Sequence, residues 1–277
     1  MTIKKVKKLI KGQATVDGAG VKLIRVLGYN DVKDIDPFLM LDAFDSENSA
    51  DYIAGFPIHP HRGIETITYL IEGEMTHTDS LGNSGTIKNG ESQWMTAGSG
   101  IMHEEMPHKK DRLFGVQIWL NLPQKDKMAK PNYFDIKNEM IKDLDIDEGH
   151  VRIISGKYKN HKGITPNYIH ATLIDFNLKP NSNLEIPIEK GENSFVYLFN
   201  GYGYFGNNEF VDEKTVAIFD EGDIIKVKAG ENGLRFLLFA AKPLNEPIAW
   251  GGPIVMNNEI ELAKAFDELQ SGDFIKD

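Results

Sequence analysis

The chain reads as an all-β protein made of two tandem copies of one barrel, with a short helix at its C-terminal end. Three observations predict this. Glycine, 26 of 277 residues, punctuates short runs rich in Val, Ile, Phe, Tyr and Thr. Those runs are too short and too β-branched or aromatic for globular helices. One segment of the first half also returns in the second: Thr66-Ile-Thr-Tyr-Leu-Ile-Glu-Gly73 lines up with Ser194-Phe-Val-Tyr-Leu-Phe-Asn-Gly201. A glycine followed by an acid then precedes a strand in each half, Gly90-Glu91 and Gly222-Asp223, so the match is ordered.

Taken along the chain, Lys4, Lys5, Lys7, Lys8 and Lys11 belong to a solvated strand whose charges protect a sheet edge. Strands are expected over Glu65 to Ile71, Leu113 to Leu120, Ala171 to Leu178, Ser194 to Phe199 and Leu234 to Ala240. A short helix is expected around Met140 to Leu144. The acidic stretch Asp143 to Gly149 lacks strand alternation and marks a boundary, giving domains over residues 1–145 and 146–277. At the end, Asn258 and Glu261 form a start resembling a capping box, and Ile260, Ala263, Phe266 and Leu269 recur at helical spacing. That helix is expected to pack across a barrel.

Composition narrows the function. With 41% hydrophobic and 26% charged residues, disorder and collagen-like classes are set aside. A chain of this length buries well over half of its unfolded surface, so it needs no metal merely to stay folded. Any metal is then expected to be functional. The net charge of −10 repels phosphate backbones, which excludes nucleic acid as a direct partner. The absence of cysteine removes disulfides, thiolate zinc sites and cysteine nucleophiles, and confines metal ligands to N and O donors. No signal-peptide core or membrane-length apolar run is present, so the expected location is cytoplasmic, with no membrane partner.

Two segments carry chemistry. In Gly55-Phe-Pro-Ile-His59-Pro-His61-Arg-Gly-Ile-Glu65, a strand would send positions 59, 61 and 65 to one face. In Gly90 to Glu105, His103 and Glu105 are again two apart, and the two pairs make a four-ligand set. Imidazoles with one carboxylate suit a divalent first-row metal, and two adjacent strands can hold them on one side of it. Glu104 faces the other way. Glu65 is either a fifth ligand, a partner of Arg62 or a hydrogen-bonding support. Trp94, Met95 and Phe56 fit core packing or the floor of an aromatic pocket. His77, His108, His150, His161 and His170 read as ordinary polar residues; the alternative for His77 and His108, which lie nearest the proposed strands, is to support the ligands from behind.

These segments resemble the two cupin motifs, the first at Gly55, His59, His61, Glu65 and Gly73, the second at Gly90, Gly98 and His103. Thr96 stands where the second motif has proline, and the Gly55–His59 and Gly98–His103 spacings also depart from it. The departures agree with the pirin family. Asp36-Pro-Phe-Leu-Met-Leu-Asp42, Phe56 to Glu65, Gln93-Trp-Met-Thr-Ala-Gly98, Gly100 to Pro107, Gln117 to Leu122, Ile154-Ser-Gly156 and Gly252 to Asn257 all resemble pirin segments, in order and over nearly the whole chain.

That resemblance implies tandem cupin barrels of the double-stranded β-helix (jelly-roll) type, the first holding one iron(II) through His59, His61, His103 and Glu105. Nickel, manganese, copper or zinc suit a similar nitrogen-rich site. Counting back from Gly201 as His59 and His61 precede Gly73 gives Pro187 and Glu189, with Arg235 in place of His103, so the second barrel is expected to be structural. The resemblance further implies a quercetin 2,3-dioxygenase-like oxidoreductase, opening the central ring of a flavonol with dioxygen and releasing carbon monoxide. Glu105, or in the alternative Glu65, would serve as catalytic base for the small aromatic substrate. The alternative is a non-enzymatic, redox-sensing iron protein acting through a protein partner. A third option is a cupin that binds metal or a small ligand without chemistry. A monomer is the expected state.

Overall fold

A computed structural model describes residues 1–276 and contains 24 strands and two α-helices among them. The first strands are β1 (Val6–Lys11), β2 (Gln13–Asp17), β3 (Val21–Leu27) and β4 (Phe38–Ser46), with helix α1 (Val32–Ile35) before β4. Then come β5 (Phe56–His61), β6 (Ile64–Glu72), β7 (Met75–Asp79), β8 (Ser84–Ile87), β9 (Ser92–Thr96), β10 (Ile101–Pro107), β11 (Leu113–Asn121) and β12 (Asn132–Ile136). The second half holds β13 (Lys142–Ile146), β14 (Gly149–Ser155), the short pair β15 (Lys157–Tyr158) and β16 (His161–Lys162), β17 (Thr172–Leu178), β18 (Asn183–Pro187), β19 (Asn193–Phe205), β20 (Glu209–Val211), β21 (Thr215–Phe219) and β22 (Ile224–Ala241). Last are β23 (Ala249–Gly251), β24 (Ile254–Met256) and α2 (Glu259–Ser271). No helix among the described residues is long and apolar enough to cross a membrane.

The chain divides into two compact units. One comprises residues 14–28, 38–138 and 244–277; the other comprises 1–13, 29–37 and 139–243. In the first, a seven-stranded sheet in the order β12-β9-β6-β11-β4-β3-β2 faces a four-stranded sheet in the order β5-β10-β7-β8. β6 is buried along almost its whole length because β9 and β11 flank it, which is why its sequence is apolar and β-branched rather than alternating. In contrast, β10 alternates buried and half-buried residues, with Ile101, His103, Glu105 and Pro107 turned inward. Residues 244–276, which chain order would group with residues 146–243, belong to this unit.

The second unit repeats the same pairing. The first part of β19 lies between β21 and the last part of β22, as β6 lies between β9 and β11. The first part of β22 pairs with β18 and with the end of β19, as β10 pairs with β5 and β7. Gly222-Asp223 therefore precedes the counterpart of β10, whereas Gly90-Glu91 precedes β9. The sequence landmark was one strand out of step, because strand ends look alike wherever glycine closes a turn.

The corrected register also moves the counterparts of the ligand positions. Val227 pairs with both Leu184 and Phe205, as His103 pairs with His59 and Asp79, and Ile186 takes the place of His61. Pro187, Glu189 and Arg235 are not the equivalents. Leu184, Ile186 and Val227 are all buried in the apolar core of this barrel, and Arg235 is ion-paired with Asp175.

Two further expectations change. The helix around Met140 to Leu144 is a single 3-10 turn, Asn138–Met140, followed by strand β13. The acidic stretch is the end of β13 and its turn into β14, where pairing to Val151 and Ile153 overrides the polar composition. Helix α2 starts as expected, with the Asn258 side chain accepting from the Glu261 N–H at 2.9 Å. Leu262 and Ala265 are its buried residues; of the expected stripe, Phe266 and Leu269 pack against the same cluster, while Ile260, 83% exposed, and Ala263 do not share that face.

Candidate metal centre

The inner face of the four-stranded sheet carries four imidazoles and two carboxylates. Cross-strand register sets His103 on β10 opposite His59 on β5 and Asp79 on β7, and Glu105 opposite His77. His61, two residues beyond His59 on the same strand, shares the face. One irregularity matters: between His103 and Glu105 the β5 partner advances from His59 to Phe56, a bulge on β5 that also leaves Ile58 exposed.

Three of these side chains converge. One ring nitrogen from each of His59, His61 and His103 lies within 4.8 Å of the others. His59 Nδ1 is 2.9 Å from the Pro57 carbonyl and His61 Nδ1 is 3.0 Å from the Pro253 carbonyl. A carbonyl only accepts, so both Nδ1 atoms carry the proton and both Nε2 atoms present bare lone pairs. Yet those two Nε2 atoms are only 3.1 Å apart. Lone pairs at that separation repel unless a positive charge lies between them. Burial, followed by the neighbouring His59, lowers the His61 pKa to about 3, and His103 is driven down by burial in the same way. A proton is thus a poor bridge, and a divalent cation fits. The Nε2 atom of His103 is also buried with no hydrogen-bond partner, as a ligand atom would be.

Glu105 does not join this cluster. Its carboxylate is buried and accepts from Thr68 Oγ1 at 3.0 Å and from Gln117 Nε2 at 2.5 Å, with Gln93 donating to the same oxygen as Thr68. Thr68, Gln93 and Gln117 are cross-strand partners on the facing sheet, so one register row of β6, β9 and β11 forms the cage. Glu65 is also outside the cluster, accepting from Thr96 Oγ1 at 2.7 Å. The expectation that positions 59, 61 and 65 share one strand fails at Gly63, whose φ of +76° turns the chain from β5 into β6. Arg62 bonds Glu268 and the Phe274 carbonyl, both at 2.7 Å. Trp94 and Met95 are core residues.

A cavity of about 700 Å³ opens beside the imidazoles. His59, His61, Gln117, Trp119, Trp250 and Phe56 line its site end. The two indoles are 6.0 Å apart, and Trp119 meets the His61 ring edge-on at 4.9 Å. On another wall Arg25 grips Asp42 through two bonds, at 3.0 and 2.8 Å, and reaches Asp17 at 2.7 Å. Burial pushes the Asp42 carboxyl up despite this pairing.

Sequence reasoning named His77 only as an alternative support for the ligands, and missed Asp79, Trp250 and Pro253. His77 and Asp79 repeat the i, i+2 spacing of the two recognised pairs, a signal in Met75-Thr-His-Thr-Asp79 that was legible in principle. The other two lie almost two hundred residues from His61, and no local pattern points to them.

Two family models match the chain: Pirin over residues 20–120 and the Pirin C-terminal cupin domain over residues 173–275. A pirin-like protein of Caulobacter vibrioides is 40% identical over 99% of this chain and 100% of its own. A Pseudomonas aeruginosa protein carrying the name "Putative quercetin 2,3-dioxygenase" is 38% identical over 96% of each. The crystal structure of a quercetin 2,3-dioxygenase from Acinetobacter baumannii superposes with a TM-score of 0.89 at 33% identity, covering 99% of both chains. With its strand order, its three-histidine cluster and these full-length matches, the chain belongs to the pirin family.

Proposed function

We propose that this protein is a metal-dependent dioxygenase that opens the central ring of a flavonol of the quercetin type, with iron(II) held by His59, His61 and His103. The observation that carries the reading is the convergence of one ring nitrogen each from His59, His61 and His103, with His59 and His61 lining an indole-walled cavity. Its volume lies within the usual range for small-molecule sites. When bound, the metal supplies Lewis acidity toward the substrate hydroxyl and redox chemistry toward dioxygen.

The chain's own residues do the rest. Trp119 and Trp250 offer flat apolar faces to a planar aromatic substrate and keep water from its ring. Glu105 accepts the proton of the flavonol 3-hydroxyl. It is buried two residues from His103, and its three donors keep it aimed before substrate arrives. As a fourth ligand the same carboxylate would have to approach the imidazole cluster, outside which it lies here.

The test is anaerobic and then aerobic incubation of metal-analysed protein with quercetin, following oxygen uptake and carbon monoxide. His59→Ala and His61→Ala are expected to lose metal and turnover together. Full turnover in a metal-free variant sinks the reading. Flavonol-independent behaviour, with partner affinity that changes between iron(II) and iron(III), would turn it to the redox-sensing alternative.

A further inference from the structure

His77 and Asp79 lie behind the ligands, on the strand next to His103, and the metal-binding reading above assigns them no task. Both are buried. His77 Nε2 is 3.1 Å from Asp79 Oδ2, and His77 Nδ1 is 3.3 Å from His103 Nδ1. Asp79 is further held by the backbone N–H groups of Leu81 and Asn83, at 2.9 and 3.1 Å, and by the Asn83 carboxamide at 3.2 and 3.0 Å. With backbone N–H and carboxamide donors directed at both of its oxygens, Asp79 serves as an acceptor.

The consequence propagates in one direction. Asp79 can only accept, so the single proton of a neutral His77 sits on Nε2. His77 Nδ1 is then an acceptor, and the atom that faces it, His103 Nδ1, must be the donor. His103 is thereby left with a bare Nε2, the atom found buried without a hydrogen-bond partner in the three-histidine cluster. The His77 ring is fixed by stacking on Tyr133, with centroids 3.9 Å apart and planes within 6°. His59 and His61 obtain the same tautomer from backbone carbonyls. His103 obtains it from two side chains, which substitution can remove.

We propose that Asp79 and His77 are positioning residues: a carboxylate–imidazole brace that imposes the Nδ1–H tautomer on His103 and so sets how tightly the three-histidine centre holds its metal. Such outer partners typically matter 10–100-fold in metal affinity. The proposal rests on the metal reading, but its first test does not. Nitrogen-15 NMR of the histidine rings in metal-free protein is expected to show His103 protonated at Nδ1 and His77 at Nε2. The opposite assignment for either ring overturns the brace whether or not a metal binds.

The second test is zinc(II) affinity by chelator competition. His77→Phe keeps the ring on Tyr133 but removes the acceptor, and is expected to weaken zinc by about 10–100-fold. His77→Gln, whose carboxamide can accept from His103 and donate to Asp79, is expected to recover most of that loss. Equal loss in both variants assigns the effect to packing and overturns the proposal, as does undiminished affinity in a folded His77→Phe. Absence of zinc binding by the unaltered protein would instead overturn the metal reading, with the ring assignments still deciding the brace.

Discussion

Glu105 shows how much one side chain's surroundings decide. It sits on the ligand face, yet three donors hold it off the imidazole cluster. Glu105→Gln is therefore expected to keep most of its metal, because the three nitrogens remain, and to lose turnover by roughly two to four orders of magnitude, as removal of a general base does. Metal content per chain and oxygen uptake, measured on one preparation, separate the two effects. Loss of metal as complete as in His61→Ala would show instead that the carboxylate is an indispensable ligand. Trp250 gives a complementary case, since it lines the cavity and its indole N–H donates to the Gly252 carbonyl. Trp250→Ala is expected to raise KM for flavonol several-fold at unchanged metal content, and an unchanged KM would remove it from the substrate's wall.

At the level of elements, the turn between β5 and β6 separates the ligand strand from the sheet that faces it. Gly63 has φ +76°, and a Cβ there would lie 2.0 Å from the Val255 carbonyl oxygen. Gly63→Ala combines left-handed strain with a backbone collision and is expected to cost at least about 2 kcal/mol in denaturant unfolding, with weakened metal binding because His61 is two residues away. A variant as stable as the parent would mean that the tail retreats freely. The same turn explains what was and was not legible in the sequence. His59, His61 and His103 were legible because alternation within a strand is a local property, and β6, β11, β17 and β19 because buried central strands are rich in β-branched and aromatic residues. Glu65 was misplaced because one glycine ended the alternation. The polar β13 was missed because its partner strand, not its composition, makes it a strand. The counterparts of the ligands in the second barrel were misassigned because loop glycines, unlike strand pairs, carry no register.

On the scale of the molecule, the first barrel is completed by residues remote in sequence, and a buried cation holds them there. Lys127 Nζ donates to the carbonyls of Gly63 and Val255, each at 2.8 Å, and to the Asn121 side chain. It thereby ties the β5–β6 turn to the strand that follows Pro253, whose carbonyl orients His61. None of these three partners is charged, and burial lowers the Lys127 pKa from 10.5 to about 7. The sign of the linkage follows. Below about pH 7 the ammonium is present in both folded and unfolded chains, and the full cost of burying it is felt. Between about 7 and 10.5 the unfolded chain binds the more protons, so this residue makes stability rise with pH across that window. Lys127→Met leaves three buried acceptors without their donor and is expected to be less stable than the parent throughout. The methionine cannot titrate, however, so the difference between the two proteins should widen as pH climbs from 7 toward 10. Denaturant unfolding of both proteins in chelator, at several pH values, measures this directly. A difference that stays constant over the window would mean that Lys127 keeps an ordinary pKa, held by water that reaches it or by the more distant Glu246 and Glu261 carboxylates.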